Sequence, residues 1–98
     1  MARCVFTPRA EADLDDIWFE IARTNVEAAD RIVDRIRAGC EARAIFPHAG
    51  ERQDHLIPQL RRLVVGPYLV FYFPTSDGLS VIRVLHGRRD IDRLFDSN

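Results

Sequence analysis

The sequence contains no lysine; all fourteen of its cationic side chains are arginine. That removes lysine from any mechanism, and leaves the permanent side-chain positive charge on rigid arginine forks. Cysteine is scarce as well: Cys4 and Cys40 stand alone, with no Cys-x-x-Cys between them. The three histidines, His48, His55 and His86, add no zinc-like spacing. Glycine is too sparse for a Gly-x-Gly-x-x-Gly or Walker loop, and no Gly-x-Ser-x-Gly occurs. Neither a metal nor a cofactor is therefore expected. Both cysteines read as buried, reduced thiols of a cytoplasmic protein, in preference to a disulfide between them. No apolar run is long enough to span a bilayer. Residues 1–6 lack the charged and apolar regions of a targeting segment.

What is present fits one α+β domain over residues 1–98, with an ordinary apolar fraction of 47%. The net charge is only −1 but unevenly spread. Residues 1–50 carry nine acids and seven arginines. Residues 61–89 carry five arginines, at positions 61, 62, 83, 88 and 89, against the single acid Asp77. The second half is locally basic, yet the total gives no strong nucleic-acid signature, and direct nucleic-acid binding by the isolated chain is not expected.

Arg3 to Phe6 reads as a short strand. Thr7 can cap a helix whose first residue is Pro8, where a missing N–H costs nothing. Ala10, Leu14, Ile17 and Ile21 form one face of that helix, predicted over 8–23. Phe19 does not fit the stripe. Asn25 can cap a second helix over 26–45, with Ala29, Ile32, Val33, Ile36 and Cys40 as its apolar stripe. Gly39 sits inside it and would permit close approach of the first helix. The short connection makes the two an antiparallel hairpin. The acids of the first helix read as a solvated face that complements the helix dipole. Residues 47–59 read as a polar loop.

Three β-prone runs follow: 61–65, 68–73 and 79–86. Gly66-Pro67 and Asp77-Gly78 separate them, which predicts an antiparallel meander. Tyr68 to Phe73 is apolar throughout and suits the centre of a sheet. Strict alternation would put Ser80, Ile82, Val84 and His86 on one face, and Leu79, Val81, Arg83 and Leu85 on the other. The fold class is thus an N-terminal strand, then a two-helix antiparallel hairpin packed on an antiparallel sheet that the three-strand meander completes. The hairpin can cover one face. The other needs residues 91–96 folded back over it, or a second protein.

The polar cluster of interest is Arg61, Arg62, Arg83, His86, Arg88 and Arg89. Pairing of the meander is expected to bring these into one neighbourhood, where arginine forks could hold an anionic group and His86 could move a proton. The competing reading has Arg88 and Arg89 paired with Asp90 and Asp92, and His86 capping the strand end.

Several stretches, in order along the chain, carry a resemblance. They are Phe6-Thr7-Pro8-Arg9-Ala10-Glu11-Ala12-Asp13-Leu14 with Ile17-Trp18, and Glu27-Ala28-Ala29-Asp30-Arg31. Phe46-Pro47 with Gly50, Leu60-Arg61, Val65-Gly66, Tyr68 and Tyr72 follow. The last is Arg83-Val84-Leu85-His86-Gly87-Arg88-Arg89-Asp90. The set resembles the RelE/ParE superfamily of bacterial type II toxin–antitoxin toxins, and the ParE branch most. The resemblance implies a small cytoplasmic toxin, held by a ribbon-helix-helix antitoxin of ParD type, with DNA gyrase as the usual ParE target. RelE-like members instead cut mRNA on the ribosome. Such nucleases use lysines beside arginines, or a glutamate and a histidine, and often an aromatic hydroxyl near the C-terminus. Here lysine is absent and the tail offers Phe95. The expectation is therefore a non-catalytic, protein-directed inhibitor. Its target contacts would be Arg83, His86, Arg88, Arg89 and Asp90, and its antitoxin contacts Trp18 and Phe19. The alternative is an mRNA endonuclease built on Arg61, Arg83 and His86.

Overall fold

Two side-chain caps fix the helices. The structure, a computed structural model, describes residues 2–96. The Thr7 side chain accepts the Ala10 N–H at 3.2 Å and opens helix α1, Pro8–Ala22. The Asn25 side chain accepts the Ala28 N–H at 2.9 Å and opens α2, Val26–Ile45. Each cap satisfies a backbone donor that the first helical turn leaves without a partner. Arg37 on α2 grips Glu11 on α1 through two bonds, 2.9 and 3.1 Å, and ties the hairpin together. Among the described residues no helix is long and apolar enough to cross a membrane.

The sheet has five strands: β1 Arg3–Phe6, β2 Glu51–Arg52, β3 Arg61–Val65, β4 Tyr68–Thr75 and β5 Gly78–His86. Their spatial order is β1-β5-β4-β3-β2. The β3-β4-β5 meander is antiparallel, as the turn residues predict. Gly66, at φ 56°, supplies the left-handed residue of the first turn. The first strand differs from an all-antiparallel reading: it lies beside β5 and runs parallel to it, so the sheet is mixed. The two-residue β2 pairs with β3 inside what reads as a polar loop. A short helix, α3, Ile91–Asp96, follows the meander.

The sheet separates two cores. On the helix side, Leu14, Ile36, Cys40, Val70, Tyr72, Leu79, Val81 and Val84 are buried together. On the other side Leu60, Phe71 and Leu85 form a smaller core, which the loop residues Leu56 and Ile57 and the α3 residues Ile91, Leu94 and Phe95 cover. The rings of Phe71 and Phe95 meet edge to face at 5.0 Å. The chain's own C-terminal segment thus covers the second face of the sheet. Gly39 faces Val65 and Leu63 of β3 rather than α1, so its missing side chain serves helix–sheet packing.

Strict alternation along β5 fails at one point. Phe71 is opposite Arg83 while the next residue, Tyr72, is opposite Val81, so Ile82 is an extra residue. This β-bulge reverses the phase. Leu79, Val81 and Val84 all lie in the helix-side core, whereas Ile82 and Leu85 pack on the other side.

Candidate functional site

Next to the bulge lies a deeply held polar pair. Arg83 reaches α1, where its Nε and Nη2 donate to the Asp13 carboxylate at 2.8 and 3.1 Å. The same carboxylate accepts the Val84 N–H at 2.9 Å, and the Thr7 hydroxyl reaches the Ile82 carbonyl at 3.5 Å. A bulge frees backbone groups from the ladder, and here α1 and its cap satisfy them. The side chains of Asp13 and Arg83 are only 6% and 14% exposed, so this is a buried, two-pronged ion pair rather than part of a solvated acidic face.

Beside this pair lies an open cleft of about 360 Å³ between α1 and the end of β5. Arg9, Asp16 and Glu20 line it from the helix, and Tyr68, His86 and Arg89 from the sheet and its exit. His86 is half-buried and meets the Tyr68 ring edge to face at 5.4 Å. Burial raises the Tyr68 phenol above its ordinary pKa, which keeps it neutral. The Nδ1 of His86 accepts the backbone N–H of Arg88 at 3.0 Å. An amide can only donate, so a neutral His86 carries its proton on Nε2. It presents a donor, and its other nitrogen is not open to act as a base.

The remaining candidates separate. The first and third strands of a meander run in the same direction, so Arg61 at the start of β3 and His86 at the end of β5 sit at opposite ends of the sheet. Arg61 is opposite Tyr72 and His86 opposite Tyr68. That separates them by roughly 13 Å along the strands and about 10 Å across them. The expected single neighbourhood of Arg61, Arg62 and His86 is therefore not formed. Arg61 donates to the Gly50 carbonyl at 2.8 Å, and Arg62 pairs with Glu51 at 2.6 Å. Asp90 accepts the Arg93 N–H at 3.3 Å and caps α3, and Asp92 lies 3.9 Å from His55. Among the described residues no ion pair joins Arg88 or Arg89 to a carboxylate, so the pairing with Asp90 and Asp92 is absent. Both side chains are exposed at the strand exit.

The helix side of the cleft was not anticipated, though a signal for Asp13 existed. It stands three residues after Ala10 and four before Ile17, within the apolar stripe itself. An acid at a stripe position has to find a buried partner. Arg9, Asp16 and Glu20 carry no such signal. Phe19 lies off the stripe, as its position predicts, and Trp18 beside it is half-buried. Phe19 is 64% exposed, and its ring meets Trp18 at 5.2 Å. Trp18 Nε1 donates to Asp30 on α2 at 2.7 Å, which fixes the platform.

The strand–hairpin–meander order and the mixed sheet define a small α+β protein of the RelE/ParE type. Comparison with known proteins agrees. The family model described as ParE toxin of type II toxin-antitoxin system, parDE, matches residues 4–91. Toxin ParE1 of Mycobacterium tuberculosis strain H37Rv is 33% identical over 94 residues, covering 94% of this chain and 96% of that protein. Toxin RelE2 of Caulobacter vibrioides is 30% identical over 89 residues, covering 91% of this chain and 99% of its own length. A solved structure, a chromosomal ParDE toxin–antitoxin system from P. aeruginosa, superposes with a TM-score of 0.73 over 88% of this chain and 96% of that one. At 20% identity that likeness speaks for the fold. The chain belongs to the ParE toxin family of type II toxin–antitoxin systems.

Proposed function

We propose that this toxin acts in the cytoplasm by binding, without catalysis, with DNA gyrase as its target, and that a cognate ribbon-helix-helix antitoxin of ParD type neutralises it. The observation that carries the non-catalytic reading is that the polar groups of a nuclease site are separated or already engaged. Arg83 is bound to Asp13, His86 Nδ1 accepts an amide, and Arg61 lies at the other end of the sheet. What remains open is a contact surface: His86 Nε2, Arg88 and Arg89 at the exit of β5. Arg83 and Asp90 shape it, the first through the bulge and the second as the cap of α3. Trp18 and Phe19 offer the antitoxin an aromatic platform at the far end of α1, suited to a segment that folds as it binds. Gyrase as the target follows from family likeness, since one fold serves several targets.

The test is a pair of assays on purified toxin: accumulation of gyrase cleavage complexes, and transcript cutting on translating ribosomes. Cleavage complexes without cutting are expected. Cutting with no effect on gyrase would overturn the proposal and favour the endonuclease reading on Arg61, Arg83 and His86, which the likeness to a RelE2 toxin keeps in play.

A further inference from the structure

Cys4 and Cys40 lie 36 positions apart in sequence, yet the fold brings them together. Cys4 is on β1, an edge strand of the sheet, and Cys40 is on α2, which packs against that strand. Cys40 is part of the helix-side core and Cys4 packs against it, so the two thiols are neighbours. They are not equivalent. Cys40 is fully buried, whereas Cys4 is only partly so. Cys4 also shares its surroundings with the Arg37 guanidinium, which sits 5.0 Å above the ring of Phe6, two residues along β1. An accessible thiol touching a buried one, beside a cation, is the arrangement of an attacking and a resolving cysteine.

We propose that Cys4 and Cys40 form a reversible disulfide that clamps strand β1 to helix α2, with Cys4 as the entry thiol and a small-molecule disulfide such as oxidised glutathione as the oxidant. In the first step the Cys4 thiolate attacks one sulfur of the oxidant. That S–S bond breaks, a mixed disulfide forms on Cys4, and one glutathione thiolate leaves and takes up a proton. In the second step Cys40 loses its proton to solvent, and its sulfur attacks Cys4 Sγ. The mixed disulfide breaks and the second glutathione leaves. Two thiols are oxidised to one disulfide, and the oxidant is reduced to two molecules of glutathione.

The environment orders the two steps. The Cys40 thiol beside it holds the Cys4 thiol below its ordinary pKa, while the adjacent Cys4 thiol, burial and the charge of Cys4 raise Cys40. Once Cys4 is capped as a mixed disulfide it bears no charge. The largest influence holding the proton on Cys40 then disappears, and Arg37 favours its thiolate. Glu41 opposes ionisation of both thiols. Capping Cys4 thus relieves Cys40 of that hold while burial and Glu41 remain, which favours the order Cys4 first and Cys40 second.

The experiment uses the full chain, purified reduced and equilibrated with a series of reduced-to-oxidised glutathione ratios. Intact mass and thiol counting after acid quench and unfolding are the readouts. The wild type is expected to lose both thiols and gain no adduct. Cys40→Ser should stop with one glutathionyl group on residue 4, and Cys4→Ser should stay unmodified on the same timescale. Oxidation of the wild type should raise its melting temperature by about 10 °C or more, reversibly with dithiothreitol, because the bridge closes a long loop. A wild type that accumulates a stable single adduct, or keeps both thiols at ratios that oxidise an unstructured dithiol peptide, overturns the proposal. Neither readout depends on toxicity, so its failure leaves the assigned target untouched.

Discussion

Replacing Asp13 tests whether the buried pair with Arg83 builds the exit of β5. Asp13→Ala removes the countercharge of a guanidinium whose side chain is 14% exposed, and it strands the Val84 N–H. Breaking a buried ion pair from one side costs about 3–5 kcal/mol, since the remaining charge stays buried without compensation. The orphaned backbone donor falls within the same range rather than adding fully to it, because water can enter the enlarged space. A domain of this size has a net stability of roughly 5–15 kcal/mol, so the variant should melt about 15–30 °C lower. Asp13→Asn should cost less, roughly 2–3 kcal/mol, because the amide oxygen can still accept from Val84 while giving Arg83 no charge.

Urea titration followed by the single tryptophan, Trp18, and by far-ultraviolet circular dichroism measures these values. The stringent measurement is a double-mutant cycle with Arg83→Met. The apolar pair Asp13→Leu with Arg83→Met should recover most of the loss, giving a coupling energy above about 2 kcal/mol. A coupling below about 0.5 kcal/mol, or an Asp13→Ala cost under about 1 kcal/mol, would refute the reasoning. The recovered double variant also separates support from contact: it should still arrest growth when expressed without antitoxin. A well-folded double variant that is harmless would make Arg83 part of the working surface.

Four further outcomes are expected. Arg88→Ala with Arg89→Ala should abolish growth arrest while shifting stability by less than about 1 kcal/mol, measured by thermal melting, because neither residue is ion-paired among the described residues; unfolding instead would restore an ion-pair role. Phe19→Glu should weaken antitoxin binding at least about tenfold in a titration, given the apolar platform it breaks and a hot-spot cost near 1.4 kcal/mol or more; unchanged affinity would remove Phe19 from that surface. Gly50→Ala should destabilise the fold by about 1–3 kcal/mol in urea, since a Cβ there would collide with the Tyr72 hydroxyl, itself bonded to the Pro47 carbonyl at 2.7 Å. The loop before β3 should loosen in acid. Arg52 and the Gln59 N–H hold the Asp54 carboxyl down at about 2. Its folded value is thus depressed, so its contribution is complete above the unfolded value of 3.8 and is lost as pH falls towards 2. Hydrogen exchange at the Gln59 amide should quicken across that window, after correction for intrinsic rates, and Asp54→Asn should abolish the step.

The helices were legible because caps and stripe point to the same boundaries. Thr7 and Asn25 start the two helices in the turn that precedes the first stripe residues, Ala10 and Ala29, and Phe46-Pro47 stops the second. The meander was legible from its turns. The site was less so, for two different reasons. The distance between Arg61 and His86 follows from strand direction alone: in a meander the first strand's start and the third strand's end lie at opposite ends. The position of Arg83 does not follow from any pattern in β5. Unbroken alternation gathers Leu79, Val81 and Leu85 on one face and Ile82 and Val84 on the other, and both sets are apolar, so burial does not choose between them. The choice is made on another element, by an acid inside the apolar stripe of α1. Asp13 cannot be buried without a donor set, and Arg83 and the Val84 N–H, next to the bulge, supply one. Seventy residues separate that acid from its arginine. The sequence signal for this buried pair was therefore Asp13, read as a demand for partners rather than as one more charge on a solvated helix.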